Sequence, residues 1–245
     1  GTATALSQAR MELAATSVGN YALFAGGRTS DGISGNTNTI DAYNKSLTRT
    51  IPTTLSTSRS CLAATSIGDY ALFGGGRFYD SFSNSVTGNN GVNAYDTSLT
   101  RTTPTSLSTA RSDLSATSVG NYALFGGGHT WSNNDVGTIY ATTDAYNTSK
   151  TRTTPTALSQ ARLILSATTV GNFALFGGGG GGRGNTIYAT VDAYNTSLTR
   201  TTSTALNTAR DYLAATTIGD YALFGGGNTH STSGKSNIVD VYMAS

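Results

Sequence analysis

Short apolar runs of four to six residues alternate with turn-forming residues along the whole chain, and no run holds a helical period for long. Leu13–Val18 is followed by Gly19-Asn20, a pair that tolerates the positive φ of a tight hairpin, and then by Tyr21–Ala25. Gly26-Gly27 closes that run. After a variable stretch come Thr39–Tyr43, an Asn- and Ser-bearing turn over 44–47, and Thr48–Ile51 with its β-branched residues. Pro52 stops the last run, because proline cannot donate to a central ladder. The pattern predicts four antiparallel strands, a to d.

The same order recurs five times. A block of the type Leu-Ser-x-Ala-Arg ends at Arg10, Arg59, Arg111, Arg162 and Arg210, at spacings of 49, 52, 51 and 48 residues. Each unit closes on Asp-Ala-Tyr or a near copy, at 41–43, 93–95, 144–146, 192–194 and 240–242. Four antiparallel strands in about 50 residues form one propeller blade, which cannot bury its faces alone and packs against copies of itself. The expectation is an all-β fold: a five-bladed β-propeller of four-stranded antiparallel blades in one domain, residues 1–245. The units run over roughly 7–55, 56–107, 108–158, 159–206 and 207–245. Strand a lies nearest the axis, where Ala14, Ala15 and Thr16 suit a crowded centre. The fifth unit lacks a strand d, and residues 1–6 align with the end of one, so the N-terminal segment is expected to complete the last blade.

The unit resembles the Kelch repeat. The matching pieces are a Leu-bearing block before the Arg, an apolar strand, a glycine turn, a strand ending in a glycine doublet, and a Tyr followed by Asp or Asn, as in Tyr43-Asn44 and Tyr95-Asp96. The resemblance covers nearly the whole chain. It departs where Kelch repeats carry a Trp, since Thr50, Thr102, Thr153 and Thr201 stand there. Five blades are also fewer than the six or seven usual in that family. The near-identity of the copies and the Ser/Thr/Asn richness are similar to bacterial or phage surface proteins, which implies an extracellular or virion-surface location.

Two zones vary while the rest repeats. One is the pair after the Arg: Met11-Glu12, Ser60-Cys61, Ser112-Asp113, Leu163-Ile164 and Asp211-Tyr212. The other is the b-to-c connection, with Arg28, then Arg77, Phe78 and Tyr79, then His129 and Trp131, then Arg183, then His230. Strand a runs away from the d-to-a connection and strand b runs back, so both zones fall on one face. The Kelch resemblance likewise implies that the d-to-a and b-to-c loops form the ligand face. Six of the 13 acidic residues lie in these zones, and so does the lone Trp. Aromatic side chains beside scattered polar groups suit recognition of a glycan or a protein. These eighteen residues are the candidate ligand-binding set.

Composition narrows the classes. Lys and Arg number 15 against 13 Asp and Glu, a net charge of +2, which argues against a nucleic-acid partner. No stretch approaches a membrane helix, so no membrane insertion is expected. One cysteine, Cys61, excludes an internal disulfide. Some Kelch-like propellers are copper-radical oxidases, but His129 and His230 stand 101 positions apart. No metal or cofactor is expected. A carboxylate pair drawn from Glu12, Asp113 and Asp211 would suit a glycan-acting enzyme, the alternative reading, and a spacer domain is a third. The repeated arginines are expected to bond backbone carbonyls or a neighbouring Asp. Asn44, Asn147 and Asn195 fit the glycosylation pattern but are read as turn residues. The preferred reading is a non-enzymatic binding module, monomeric as a domain.

Overall fold

In the computed structural model, which describes residues 3–31, 34–132, 135–182, 186–231 and 234–244, every regular element is a β-strand. The strands predicted for the first unit appear as Ala14–Val18, Tyr21–Ala25, Ile40–Asn44 and Arg49–Thr50, in the order a-b-c-d. The second, third and fourth units repeat that four-stranded antiparallel order. The fifth sheet has three strands, Ala214–Ile218, Tyr221–Gly225 and Val239–Met243.

By contact density the chain divides into two units. One holds 1–112 with 130–137 and 147–152; the other holds 113–129 with 138–146 and 153–245. Within the first, the sheets of the first two repeats pack face to face. Val18, Leu23, Ile40 and Ala42 meet Leu62, Ala71, Phe73 and Tyr95. Within the second, Val119, Leu124 and Ala145 meet Ala174 and Phe176. The far face of that fourth sheet, Val170, Leu175 and Val191, is covered by Leu213, Ala222 and Phe224 of the fifth. Within each unit, one face of a sheet thus packs on the opposite face of the next.

Two devices recur and explain the repeated residues. The Phe of strand b and the Tyr of strand c make an edge-to-face pair in every copy, from Phe24–Tyr43 at 5.8 Å to Phe224–Tyr242 at 5.7 Å. Beneath it lies a buried arginine. Arg10 pairs with Asp41 at 2.8 Å and donates to the Phe24 carbonyl, and Arg210 does the same with Asp240 and Phe224. Arg59, Arg111, Arg162 and Arg210 have no exposed surface. A buried charge needs such partners, so the invariance of the Arg is structural. The Asn turns also hold: Asn195 Oδ1 accepts from the backbone N–H groups of Ser197 and Thr199.

The N-terminal closure expected over residues 1–6 is corrected from Ala3 on, Gly1 and Thr2 lying outside the described residues. Thr4, Ala5 and Ser7 form no strand and hold onto the first sheet. Tyr43 donates to the Thr4 carbonyl, Arg49 to the Ala5 carbonyl, and Ser7 to Asp41. The cause is register. Tyr95 donates to Thr53, Tyr194 to Thr156 and Tyr242 to Thr204 in the same way, so in these copies too this segment clamps the unit that follows it.

Candidate functional site

The two variable zones are joined by backbone pairing. In four copies the first residue of the pair bridges the b-to-c connection of its own copy. Met11 and Arg28 exchange two hydrogen bonds at 3.0 and 2.9 Å, as do Ser60 and Arg77 at 2.9 and 2.8 Å. Leu163 bridges Gly180 and Asp211 bridges Asn228. The glycine doublet makes this possible. Gly27 sits at φ 100°, and a Cβ there would lie 2.6 Å from the Met11 carbonyl oxygen.

The second residue of every pair is left-handed. Glu12, Cys61, Asp113, Ile164 and Tyr212 have φ of 58, 53, 55, 55 and 53°. A non-glycine residue in that region is uncommon, and for the β-branched Ile164 it is a genuine outlier. These residues are also strung together. The Cys61 N–H donates to the Glu12 carbonyl in one unit; in the other, Ile164 donates to Asp113 and Tyr212 to Ile164. Five side chains of unlike chemistry are therefore displayed from one repeated, strained backbone position. Such strain persists only where the surroundings over-determine it, and it clusters at binding sites.

The side chains form a dense polar network. Glu12 meets Arg28 Nε at 3.0 Å and Arg77 Nη2 at 3.0 Å, and the Cys61 thiol donates to it at 3.2 Å. Burial pushes the Glu12 carboxyl up, but hydrogen bonds from Arg28, Arg77 and Cys61 outweigh that and hold it at about 2. The Arg77 guanidinium lies 4.6 Å from the centroid of the Trp131 ring, whose Nε1 donates to Ser112 Oγ. In the other unit, His129 Nε2 lies 2.9 Å from Asp113 and His230 Nε2 lies 3.0 Å from Asp211.

The candidate residues separate by depth. Ser60, Ser112, Leu163, Asp211 and His129 are buried and support the surface from beneath. Glu12, Cys61, Asp113, Ile164, Arg28, Arg77, Phe78, Tyr79 and Trp131 are half-buried. Met11 is 42% exposed and Tyr212 68% exposed. His230 is at the surface, and Arg183 lies outside the described residues. Among the described residues no three His, Cys, Asp or Glu side chains gather as a ligand set.

Two features were missed from the sequence. Nothing in the residue types of the second position signals left-handed backbone. The b-to-c connections of two copies are also hairpins rather than loops: Arg77–Asp80 with Ser85–Gly88, and His129–Ser132 with Asp135–Ile139. The adjacent aromatics Phe78 and Tyr79, residue types that favour strands, were the available signal. Phe82 stands fully exposed at the tip of the first hairpin.

No family model matches the chain, and no curated protein matches it closely enough to show a family.

Proposed function

We propose that this chain is a non-enzymatic binding module, its five repeats the blades of a Kelch-like propeller, which holds a glycan or protein on the face built from the post-Arg pairs and the b-to-c connections. The observation that carries this reading is the left-handed second residue. Five copies keep one strained backbone and vary the side chain on it. The other repeated left-handed position, in the c-to-d turn, is Leu47, Leu99, Lys150 and Leu198, three of four alike, whereas no two copies share a residue here. Aromatic groups at this face, Trp131, Tyr79 and Tyr212, offer stacking surfaces beside charged hydrogen-bonding groups. Glu12, engaged by Arg28 and Arg77 and held at about 2, carries no proton to give as a general acid near neutral pH.

The test is a screen of the chain against a glycan panel and a displayed-peptide library, alongside an Ile164→Asn/Tyr212→Asn variant. Asparagine tolerates left-handed backbone, so the fold is kept while the display changes. The expected result is binding by the parent chain, weakened at least tenfold in the variant. Equal binding by both would remove this face as the site.

A further inference from the structure

Asn93 stands where the other four copies carry Asp. In two of those copies the carboxylate joins two arginines. Asp41 pairs with Arg10 at 2.8 Å and faces Arg49 Nε at 3.6 Å. Asp192 gives one oxygen to Arg162 and the other to Arg200, the latter at 2.9 Å. In each case one partner is the buried repeat Arg, and the other comes from strand d, opposite the Tyr of strand c.

The second repeat keeps both arginines and loses the charge between them. Arg59 is fully buried, and Arg101 stands opposite Tyr95 in the same register. Burial pushes the Tyr95 hydroxyl up while the charges of Arg101 and Arg59 pull it down, so both guanidiniums lie close to one phenol. Their acceptors among the described residues are neutral: the Asn89 and Asn93 side chains and the Phe73 carbonyl for Arg59, the Thr54 carbonyl for Arg101. Asn93 Oδ1 takes three donors, Ser56 N–H and Oγ at 3.2 Å and Arg59 Nη2 at 3.1 Å. That fixes which way the amide is turned, and it leaves Nδ2 as a buried donor without a hydrogen-bond partner. The matching atom of Asp192 is the oxygen that meets Arg200.

We propose that the second repeat binds a small monovalent anion of the chloride class between Asn93 Nδ2 and the Arg101 guanidinium, with the buried charge of Arg59 behind it. The ion takes the part that the second carboxylate oxygen plays in the fourth repeat. It accepts the orphaned N–H and balances charge where burial makes charge costly. It enters past Arg101, which is half-buried, and Ser56, which is exposed. The buried amide restricts the site to an ion of about the size of one oxygen. None of these residues belongs to the candidate ligand-binding set, so the anion site stands apart from the reading of that face.

The test is urea unfolding of the intact chain at pH 7, with sodium gluconate exchanged for sodium chloride at constant ionic strength. The expected result is a folding equilibrium constant that rises about tenfold by about 0.2 M chloride, the linkage for a dissociation constant near ~20 mM. Asn93→Asp brings its own charge to the place, and its response should fall below about twofold on the same linkage. Arg101→Gln, which leaves Asn93 in position, should lose most of the response as well. Crystals soaked in sodium bromide read the site directly, as an anomalous peak within about 3.5 Å of Asn93 Nδ2. A parent chain indifferent to chloride, an equal response in either variant, or bromide absent from this place would overturn the proposal.

Discussion

Asn93 is an exception that the other copies allow to be tested. Asp41, Asp144, Asp192 and Asp240 hold the same place in the remaining repeats. In the fourth, Asp192 gives one oxygen to the buried Arg162 and the other to Arg200. In the second, Arg59 is fully buried and donates to the Asn93 and Asn89 side-chain oxygens and to the Phe73 carbonyl, while Asn93 Nδ2 is buried without a hydrogen-bond partner. Burial pulls the Arg59 guanidinium from 12.5 down to about 10, with the Tyr95 charge a smaller opposing influence. That corresponds to about 3 kcal/mol of unfavourable charge burial. Because the folded value lies below the ordinary one, the penalty is fully present below about pH 10 and lifts between 10 and 12.5. Asn93→Asp replaces the orphaned donor by an acceptor and supplies the missing counter-charge. Relief of a buried unsatisfied group is worth about 1–3 kcal/mol, and the new carboxylate's own desolvation offsets much of the ion-pair gain. The net expectation is about 2 kcal/mol of added stability at pH 7, or a rise in Tm of about 4–8 °C. Urea unfolding at pH 7 and pH 2 measures it. The gain should vanish at pH 2, where a carboxylate is protonated. A neutral or destabilising effect at pH 7, or a gain that survives at pH 2, would refute the account of the buried arginines.

Asp192→Asn makes the reverse change and should cost about 3 kcal/mol, read by the same unfolding curves. Gly76→Ala should cost at least about 2 kcal/mol, because its φ is 106° and a Cβ would lie 2.8 Å from the Ser60 carbonyl oxygen. Gly219→Ala, at φ 54° with nothing within 4 Å, should cost only about 1 kcal/mol of backbone strain. Glu12 is held at about 2 against an ordinary 4.5, so its contribution is full above about pH 4.5 and lost as pH falls through 2. Glu12→Gln should therefore lower stability at pH 7 by roughly 1 kcal/mol, discounted for exposure, and flatten the acid limb of the stability curve. Arg77→Ala should shift Trp131 emission to longer wavelength as the ring loses its cover, and an unmoved spectrum would deny the stack.

The antiparallel four-stranded sheets were legible because each repeat spells its strands with few competing signals. A short apolar run between a Gly-Asn or Gly-Asp turn and a glycine doublet placed strand b to the residue, at Tyr21–Ala25. The buried arginines were legible as structural because all five copies keep them. The N-terminal segment misled because its sequence aligns with the end of strand d, yet its hydrogen bonds belong to the clamp on the following unit. The candidate face was found from disagreement between copies alone. Its geometry was not: Glu12, Cys61, Asp113, Ile164 and Tyr212 share no residue type that announces left-handed backbone. That conformation is imposed by the two-way bridge of the preceding residue and by the string of N–H donors linking neighbouring copies, which are tertiary facts.

The central claim is that these five left-handed positions display a ligand-binding surface. Amide chemical-shift mapping on adding the tightest ligand from the glycan and peptide screen tests it most directly. The account predicts the largest changes at Cys61, Ile164 and Tyr212 and along the Arg77–Asp80 and His129–Ser132 strands. Changes confined to the Gly19-Asn20 and Asn44–Leu47 type turns, on the opposite ends of the strands, would contradict it.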